Sequence, residues 1–378
     1  MKNNQNYKMC SLSVMDNSGD PDISFDENGI CNYYYEYFEK SKLRTIPDDE
    51  KDERLAEIIK NIKDAGKNNQ YDCIIGISGG VDSSYTAYLV KKLGLRPMAV
   101  HFDNGWDSEL AVSNIKKILN KLGIDLYTYV IDWEEFKDIQ LSFLKASTPD
   151  GEIPTDHAIL AVLYKIANEN KIKYIVSGNN FRTEGIMPPS WAYGHIDWKY
   201  IKGVHKKFGK VKFKSFPYIT LPKYLYYTFV KGIKMVSILN YINYDKVKAQ
   251  KILEDELGWQ YYGGKHYESI YTRFYQSYIL PNKFNIDKRK IHLSTLIFAG
   301  LLSKEEALEE MSKPAYPEEK LKFEKEYVIN KFGISEKEFD EIMSAPVKSF
   351  RDYPNSNGIH QKYKNVLNFL RKKKILYN

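Results

Sequence analysis

The fold of this protein is decided by the stretch Gly76-Ile77-Ser78-Gly79-Gly80-Val81-Asp82-Ser83-Ser84, which joins an apolar run directly to a helical pattern. Residues 73–77 are rich in β-branched side chains and predict a buried strand, and residues 81–93 have helical spacing. A glycine pair at such a turn lets the backbone approach a ligand closely. The N–H groups of the turn and of the helix start then form an anion site, to which the hydroxyls of Ser78, Ser83 and Ser84 add donors.

The turn differs from other phosphate-binding loops, because no lysine follows the glycines and the glycine spacing is not G-x-G-x-x-G. It carries a carboxylate instead, that of Asp82. A carboxylate beside phosphates is useful chiefly through a bound cation, so Asp82 is a predicted Mg²⁺ ligand.

The pattern around the turn repeats. Strands are predicted at 97–102, 125–131 and 174–177, and helices at 108–122, where Ser108 is the predicted cap, and at 155–170. Strands that alternate with helices of this length predict βαβ units and an open parallel α/β sheet flanked by helices. The carboxyl ends of the strands then share one edge, where such sheets bind ligands. That edge would include His101, Phe102, Asp103, Gly178, Asn179 and Asn180.

The chain has 378 residues, enough for two domains, and its 43% apolar and 28% charged residues exclude disorder as the main state. We expect a small N-terminal appendage over 1–67, an α/β domain with the glycine-rich loop over 68–200 and a mostly α C-terminal region over 201–378. In the last region, helical patterns cover 245–257, 292–298, 304–311, 317–332, 336–345 and 361–374.

The net charge is +7, but it is local. Between Trp198 and Lys234 there is no Asp or Glu, and without the ten lysines of this stretch the formal charge of +7 becomes −3. We call residues 199–234 the basic stretch; its lysines are 199, 202, 206, 207, 210, 212, 214, 223, 231 and 234. We expect it to be an entry lip for an anionic substrate or a docking face for an acidic partner.

The three cysteines, Cys10, Cys31 and Cys73, are too few and too scattered for a disulfide framework, which favours a reducing cytoplasm. No run reaches the roughly 18 apolar residues of a transmembrane helix, and no secretory signal is visible. Cys73 lies inside the first predicted strand and is expected in the core rather than as a nucleophile.

The residues Ser78-Gly79-Gly80-x-Asp82-Ser83 resemble the pyrophosphate-binding loop of the PP-loop ATPases. The resemblance implies the adenine nucleotide alpha-hydrolase-like (HUP) fold, with ATP and Mg²⁺ as cofactors and ATP split into AMP and pyrophosphate. It also implies which residues bind ATP: Ser78, Gly79, Gly80, Asp82, Ser83 and Ser84 around the phosphates, and His101, Phe102, Asp103, Gly178 and Asn179 around the rest of the nucleotide.

Further motifs are similar to those of the N-acetyl sugar amidotransferases of the WbpG or PseA type. These are Pro154-Thr155-Asp156-His157, Glu256-Leu257-Gly258-Trp259 and the stretches 264–276 and 284–292. The family resemblance implies conversion of an acetamido group on a nucleotide-linked sugar, in surface polysaccharide or flagellin glycan synthesis, into an acetamidino group. Its partners would be a HisH-like glutaminase and a HisF-like cyclase-type subunit that deliver ammonia; no nucleic acid partner is expected.

Several residues of these motifs are candidates for substrate binding and catalysis. Cations would complete charge neutralisation or hold substrate phosphate and carboxylate, namely Lys265, Arg273, Lys288 and Arg289. His266 or Glu268 would manage protons in the ammonia step. Thr155 and Asp156 either cap a helix or reach the substrate or Mg²⁺, and Asn180 is a further substrate-binding candidate.

The sequence departs from the family at the N-terminus. Members carry two C-x-x-C pairs there, whereas this chain has Cys10 with Ser13 and Cys31 with Tyr34. Two thiolates without other ligands do not close a four-coordinate site. Zinc is therefore not expected at Cys10 and Cys31, and we expect the segment to be held by the aromatic residues of 33–38.

Alternatives remain open. A tRNA-lysidine or thiolation enzyme uses the same loop, and the basic stretch with its aromatic residues could form an RNA surface; these aromatic residues are Trp198, Tyr200, Phe208, Phe213 and Phe216. Sulfur transfer is disfavoured because no cysteine is placed as a nucleophile. A non-enzymatic nucleotide-binding module, or a membrane-surface role for the basic stretch, are further alternatives.

Overall fold

The computed structural model describes residues 7–264 and 267–372, and a five-stranded parallel sheet is its central element. The strands are β1 (Cys73–Gly76), β2 (Pro97–Asp103), β3 (Asp125–Val130), β4 (Tyr174–Ser177) and β5 (Lys234–Ser237), in the order β3-β2-β1-β4-β5. Ile75 of β1 lies opposite Ala99 on one side and Val176 on the other. The strand order reverses at β1, so the carboxyl ends of β1 and β4 border the crevice where open α/β sheets bind ligands.

Helices cover both faces of the sheet and form the C-terminal region. The first ten are α1 (Asn32–Arg44), α2 (Lys51–Gly66), α3 (Val81–Lys92), α4 (Glu109–Leu122), α5 (Trp133–Ala146), α6 (Ile153–Glu169), α7 (Phe181–Glu184), α8 (Trp198–Phe208), α9 (Leu221–Leu225) and α10 (Lys246–Leu257). The remainder are α11 (Ile270–Phe274), α12 (Leu280–Phe284), α13 (Lys288–Phe298), α14 (Lys304–Ser312), α15 (Glu318–Phe332), α16 (Glu336–Ser344) and α17 (Asn357–Lys372). Short 3-10 turns lie at Asp48–Glu50, Ile238–Tyr241 and Phe350–Asp352, and π turns at Tyr226–Val230 and Tyr275–Ile279.

The core has two parts because side chains alternate across a strand. Cys73 and Ile75 of β1 belong to a cluster with α2, α3, α4 and α10, while Ile74 belongs to a larger cluster with α5, α6 and the C-terminal helices. Cys73 is buried as predicted, and burial raises the pKa of its thiol.

The predicted open parallel α/β fold with a mostly helical C-terminal region is confirmed. The four predicted strands and the six C-terminal helices are present with small shifts at their ends. Ser108 caps α4 as predicted and accepts a hydrogen bond from the Ala111 N–H at 3.2 Å.

Two expectations need correction. The sheet extends past the predicted boundary at residue 200, because β5 comes from residues 234–237; this short strand begins with a lysine and has too few apolar residues for a strand pattern. The interpretation of Thr155 or Asp156 as a helix cap is also wrong. Helix α6 begins at Ile153, which places both residues in its first turn.

The N-terminal appendage is held together by β-bridges, Met9 with Asp16 and Phe25 with Cys31. The Cys31 N–H donates to Cys10 Sγ at 3.3 Å, and the neighbouring Cys31 thiol lowers the pKa of Cys10. Within residues 7–264 and 267–372 there is no cluster of three or more His, Cys, Asp or Glu suited to a metal ion.

Buried contacts fasten the appendage to the rest of the protein. Lys290 Nζ lies 2.6 Å from Asp16 Oδ2, and the Trp191 indole donates to the Gly19 carbonyl at 2.8 Å. Of the aromatic residues of 33–38, Tyr33 and Tyr37 are buried, whereas Tyr35 and Phe38 are exposed, so only part of this set holds the appendage. In the part of the chain that the structure describes, no helix is long and apolar enough to span a membrane.

Candidate active site

The turn between β1 and α3 is shaped for close contact with a ligand. Gly79 has φ +80°, and a Cβ there would lie 2.6 Å from the Ala111 carbonyl oxygen, so only glycine fits. Ser83 Oγ accepts a hydrogen bond from the Ser78 N–H at 3.2 Å, and the two hydroxyl oxygens are 3.2 Å apart. The serines therefore hold the loop in one shape.

Gly80 is the cap residue of α3 and offers no side chain to its N–H groups, which suits an anion at this helix start. On one side, the Trp259 indole donates to the Gly79 carbonyl at 2.9 Å. On the other, a Cβ at Gly178 would lie 2.9 Å from the Asp82 carbonyl oxygen. The ends of β1 and β4 thus meet at the predicted loop, and Gly178 is there because nothing larger fits.

The Asp82 carboxylate has two neighbours that the sequence did not reveal. The Tyr244 phenol donates to Oδ1, and Lys246 Nζ lies 3.7 Å from Oδ2. Burial and the adjacent Asp82 carboxylate raise the pKa of Tyr244, which keeps the phenol protonated. Both residues follow β5, and without that strand in the pattern no signal placed them near the loop. Trp259, by contrast, belongs to a motif that the sequence singled out.

The site fits a magnesium-bound nucleotide in its donor set. Mg²⁺ binds through one or two carboxylates plus substrate phosphates. Asp82 supplies one partly exposed carboxylate in the first turn of α3, and the preceding loop and turn carry the hydroxyls of Ser78 and Ser83. The predicted assignment of Asp82 as metal ligand remains a prediction.

At the end of β2, His101 and Phe102 are buried. His101 contacts the Ile77 carbonyl at 3.0 Å and Asp107 Oδ2 at 3.1 Å. Burial opposes protonation of His101, but the Asp107 carboxylate outweighs it and raises the pKa. Phe102 stacks on Tyr129, with ring centroids 6.0 Å apart. Their side chains therefore support the strand end, and Asp103, whose carboxylate accepts from the Gly105 N–H at 2.8 Å, lies at the edge itself.

The end of β4 brings two further candidates to the same edge. Asn179 is exposed. Asn180 is buried and caps α7 by accepting from the Thr183 N–H at 3.0 Å; within the described residues its amide nitrogen has no hydrogen-bond partner. Across the crevice, Thr155 Oγ1 lies 3.5 Å from Asn104 Nδ2, and Asp156 is exposed on α6.

The C-terminal cations predicted for charge neutralisation are engaged elsewhere. Arg273 pairs with the buried Glu324, Lys288 Nζ lies 3.0 Å from Glu152, and Arg289 pairs with Asp287 at 2.8 Å. Arg289 also donates to the Lys313 carbonyl at 2.8 Å. These contacts commit the three cations to partners within the protein. Two further candidates, Lys265 and His266, lie outside the described residues.

Glu268 does reach the loop. A Cβ at Gly80 would lie 3.2 Å from the Tyr262 hydroxyl and 3.4 Å from Glu268 Oε1. The Ser108 N–H donates to the Glu268 carbonyl and the Ile270 N–H to the Trp106 carbonyl, both at 2.8 Å. The segment that begins at Glu268 therefore pairs with the loop after β2 and borders the site.

The aromatic residues considered for an RNA surface are largely internal. Tyr200 and Phe216 are buried, and Trp198, Phe208 and Phe213 are partly buried against the core. The ten lysines of the basic stretch are all exposed.

A parallel α/β sheet with a Ser-Gly-Gly-x-Asp-Ser loop at its switch point defines a PP-loop nucleotide-binding domain. Family models agree with this class. Residues 53–226 match the NAD synthase model, and residues 268–368 match the model described as LPS biosynthesis protein WbpG-like, C-terminal domain. One segment of the chain thus matches a PP-loop family model and another matches a WbpG-like domain model, in agreement with the resemblance that its motifs predicted.

Individual relatives have low sequence identity to this chain. An uncharacterized protein of Methanocaldococcus jannaschii is 26% identical over 328 residues, which cover 82% of this chain and 95% of that protein. The tRNA-specific 2-thiouridylase MnmA of Proteus mirabilis is 31% identical over 145 residues, and that from Fusobacterium nucleatum, MnmA 2, is 27% identical over 140. These matches cover 34% and 35% of this chain and only 39% and 38% of the two thiouridylases.

Two solved structures match parts of the chain with low TM-scores and low sequence identity. The NH3-dependent NAD synthetase of Campylobacter jejuni is 17% identical with a TM-score of 0.28, over 54% of this chain and 83% of that one. A predicted subunit of tRNA methyltransferase from Methanocaldococcus jannaschii is 15% identical with a TM-score of 0.29, over 48% and 74%.

Proposed function

We propose that this protein is an ATP-dependent ligase that converts an acetamido group of a nucleotide-linked sugar into an acetamidino group, with release of AMP and pyrophosphate, in surface polysaccharide or flagellin glycan synthesis. One observation carries the proposal. The first residues of the WbpG-like domain, Glu268 to Ile270, pair with the loop after β2 beside the PP-loop. The domain typical of this family thus supplies part of the wall of the nucleotide site.

In the proposed reaction the acetamide oxygen attacks the α-phosphorus of ATP and pyrophosphate leaves. Ammonia then adds to the activated carbon, and AMP departs with the oxygen. An amide oxygen is a weak nucleophile, so holding it against the phosphorus supplies much of the rate. The N–H groups of the loop and of the α3 start stabilise the charge that develops on pyrophosphate. Mg²⁺, held through Asp82, would add further charge neutralisation.

Lys246 is the described cation best placed to assist this step, since its ammonium is 3.7 Å from Asp82. Thr155, Asp156 and Asn180 lie at the same sheet edge and are the proposed contacts to the sugar.

The burial of the three cysteines bears on the source of ammonia in the proposed reaction. A glutaminase of the cysteine type needs an accessible thiol, and Cys10, Cys31 and Cys73 are all buried. Ammonia would therefore come from another protein, and the family resemblance implies a HisH-like glutaminase that delivers it through a HisF-like cyclase-type subunit. The same burial argues against a thiolating activity, which also requires a reactive cysteine.

The direct test is incubation of the protein with UDP-linked diacetamido sugars, ATP, Mg²⁺ and ammonium, followed by mass spectrometry. We expect a product in which NH has replaced one oxygen, formed with equimolar AMP. The control is the Asp82→Asn variant under the same conditions. ATP consumption with tRNA and without any sugar would overturn the proposal.

The tRNA reaction is the second candidate function, because thiouridylases match the PP-loop part of the chain. A tRNA-dependent AMP release would favour it. Any AMP release that depends on a second substrate would exclude a non-enzymatic nucleotide-binding module.

A further inference from the structure

A stack of three parallel rings runs from His157 through Trp198 to Tyr218 of the basic stretch, where it ends at the protein surface. The His157 ring stacks on Trp198, with centroids 5.4 Å apart and an interplanar angle of 16°. Trp198 in turn stacks on Tyr218 at 4.5 Å and 12°. His157 is buried, whereas Tyr218 is 50% exposed. The inner face of the Tyr218 ring is therefore covered, and part of the ring is left open to solvent.

Hydrogen bonds fix the buried end of the stack, the His157 ring. His157 Nδ1 donates to the His195 carbonyl at 2.5 Å, and Nε2 accepts from the Ile219 N–H at 3.2 Å. Trp198 is the first residue of α8, whose start is capped by the buried Asp197. Tyr218 is thus placed by the backbone bond of its neighbour Ile219 and by its contact with a fixed indole.

The backbone that leads to Tyr218 is fastened by carboxylates of α5. Glu135 accepts from the N–H groups of Lys214 at 3.0 Å and Phe216 at 2.8 Å. Asp138 accepts from the Lys210 N–H at 2.9 Å. These acidic groups bind backbone rather than lysine side chains, so the loop is rigid while its lysine ammonium groups stay available.

The lysines of the basic stretch are not paired with carboxylates in the part of the chain that the structure describes. All ten lysines of the basic stretch are exposed, and among the described residues none of them forms an ion pair with a carboxylate. Lys212 and Lys214 flank Phe213, which contacts Trp198 at 5.6 Å. Lys202 lies one helical turn after Trp198 on the same side of α8. Exposed lysines thus lie on the two segments that carry Trp198 and lead to Tyr218.

We propose that Tyr218 is a stacking platform for the base of a nucleotide whose phosphates are neutralised by the lysines of the basic stretch. A flat π-face with adjacent cations binds any base without reading its edges. Two sources of this chemistry exist, the nucleoside diphosphate part of a sugar nucleotide and a single-stranded RNA. The inference rests on the proposed function only for the first source.

The test is equilibrium binding, measured without ATP so that it does not depend on turnover. The probes are UDP, by calorimetry, and a fluorescent oligouridylate, by anisotropy at two salt concentrations. We expect one probe to bind, and Tyr218→Ala to weaken it about tenfold or more, as loss of base stacking does. Tyr218→Trp should retain binding. The matched control is Tyr127→Ala, an equally exposed tyrosine on the edge strand β3.

A second pair of variants tests the charges. Lys212→Ala/Lys214→Ala should weaken binding, whereas Lys320→Ala/Lys322→Ala, two exposed lysines on α15, should not. Binding of the oligonucleotide that falls steeply with salt would identify RNA, and binding of UDP without binding of the oligonucleotide would identify the sugar nucleotide. The proposal is overturned if neither probe binds, or if Tyr218→Ala and Tyr127→Ala both bind like the wild type. Such a result would leave the ligase proposal standing.

Discussion

The phenol of Tyr244 donates a hydrogen bond to the carboxylate of Asp82, although 162 residues separate them in the chain. Lys246 lies beside the same carboxylate, at the start of α10. The segment after β5 therefore completes the surroundings of the PP-loop. This relationship identifies two side chains that contact the Asp82 carboxylate of the predicted phosphate site.

Replacing Asp82 should remove catalysis without unfolding the protein. We expect Asp82→Asn to lower ATP–pyrophosphate exchange by about two orders of magnitude or more, because charge stabilisation at the leaving group is lost. Its thermal unfolding should stay near wild type, since the carboxylate is partly exposed. Asp255→Asn, an exposed position on α10, is the control. Exchange at the wild-type rate in Asp82→Asn would rule out the metal role.

Lys246 should contribute to ATP use. Lys246→Met removes the ammonium next to Asp82 and should lower kcat/KM for ATP by about tenfold, the order expected for one charge-assisted contact. The matched variant is Lys248→Met on the same helix, whose side chain is 82% exposed and pairs with Asp245. Equal kinetics of the two variants would show that Lys246 has no special role.

The Tyr244→Phe variant removes the hydroxyl and keeps the ring, so it measures the contribution of the hydroxyl alone. The ring is buried and packs near Tyr85, so it should keep its place. Loss of a hydrogen bond to a charged group should cost about 1.5–3 kcal/mol of binding or stability. Because the pKa of Tyr244 is raised, no phenol ionisation should appear in the pH–rate profile below its ordinary value near 10. An alkaline limb that disappears in Tyr244→Phe would contradict this.

Replacing Arg273 tests whether this residue has a structural role or the predicted catalytic role. Its guanidinium pairs with Glu324, which is 6% exposed and also accepts from the Tyr316 hydroxyl at 2.8 Å. Arg273→Met leaves this carboxylate buried without its cation, so unfolding free energy in urea should fall by about 3–5 kcal/mol.

Arg273→Met/Glu324→Gln should recover part of that loss, because it removes the stranded charge. Arg351→Met, at an exposed arginine, is the control. Unchanged stability with lost activity in Arg273→Met would instead support the catalytic role.

Two buried groups should give opposite dependences of stability on pH. Burial lowers the pKa of His157 to about 4 and raises that of Asp150 to about 6. Between pH 6.5 and 4 the unfolded chain binds a proton at His157 and the native state does not. The free energy of unfolding therefore decreases by about 3 kcal/mol as the pH is lowered through this range. Asp150 acts the other way, since the native state binds its proton first as pH falls below 6.

The two effects nearly cancel in the wild type, and single variants should separate them. Asp150→Asn should make unfolding free energy drop more steeply between pH 7 and 4.5, and His157→Gln should make it drop less. Urea titrations at the two pH values measure both slopes. Identical slopes in the three proteins would contradict the assignment.

The α/β part could be predicted because its information is local. The glycine pair, the serines and Asp82 lie within one turn, and the strand and helix on either side have strong periodicity. By contrast, β5 has four residues and starts in the basic stretch, so the sheet was predicted one strand short. The missed strand also concealed Tyr244 and Lys246, which follow it.

The partners of charged side chains could not be predicted from the local sequence either. Arg273, Lys288 and Arg289 are attractive ligand-binding residues in the sequence, and their carboxylate partners Glu324, Glu152 and Asp287 became evident only on folding. In the same way, Tyr200 and Phe216 of the basic stretch face the core, whereas Tyr218 faces solvent.

The sequence by itself determined the class of the protein, because the residues of the Ser-Gly-Gly-x-Asp-Ser loop are contiguous and their backbone geometry depends on glycine at fixed positions. Only the tertiary structure decided which distant side chains share that site and which are committed to ion pairs. Buried charges need partners, and the partners are chosen by the packing of helices far apart in the chain. The exposed Tyr218 on its stack of buried rings is likewise a product of folding alone.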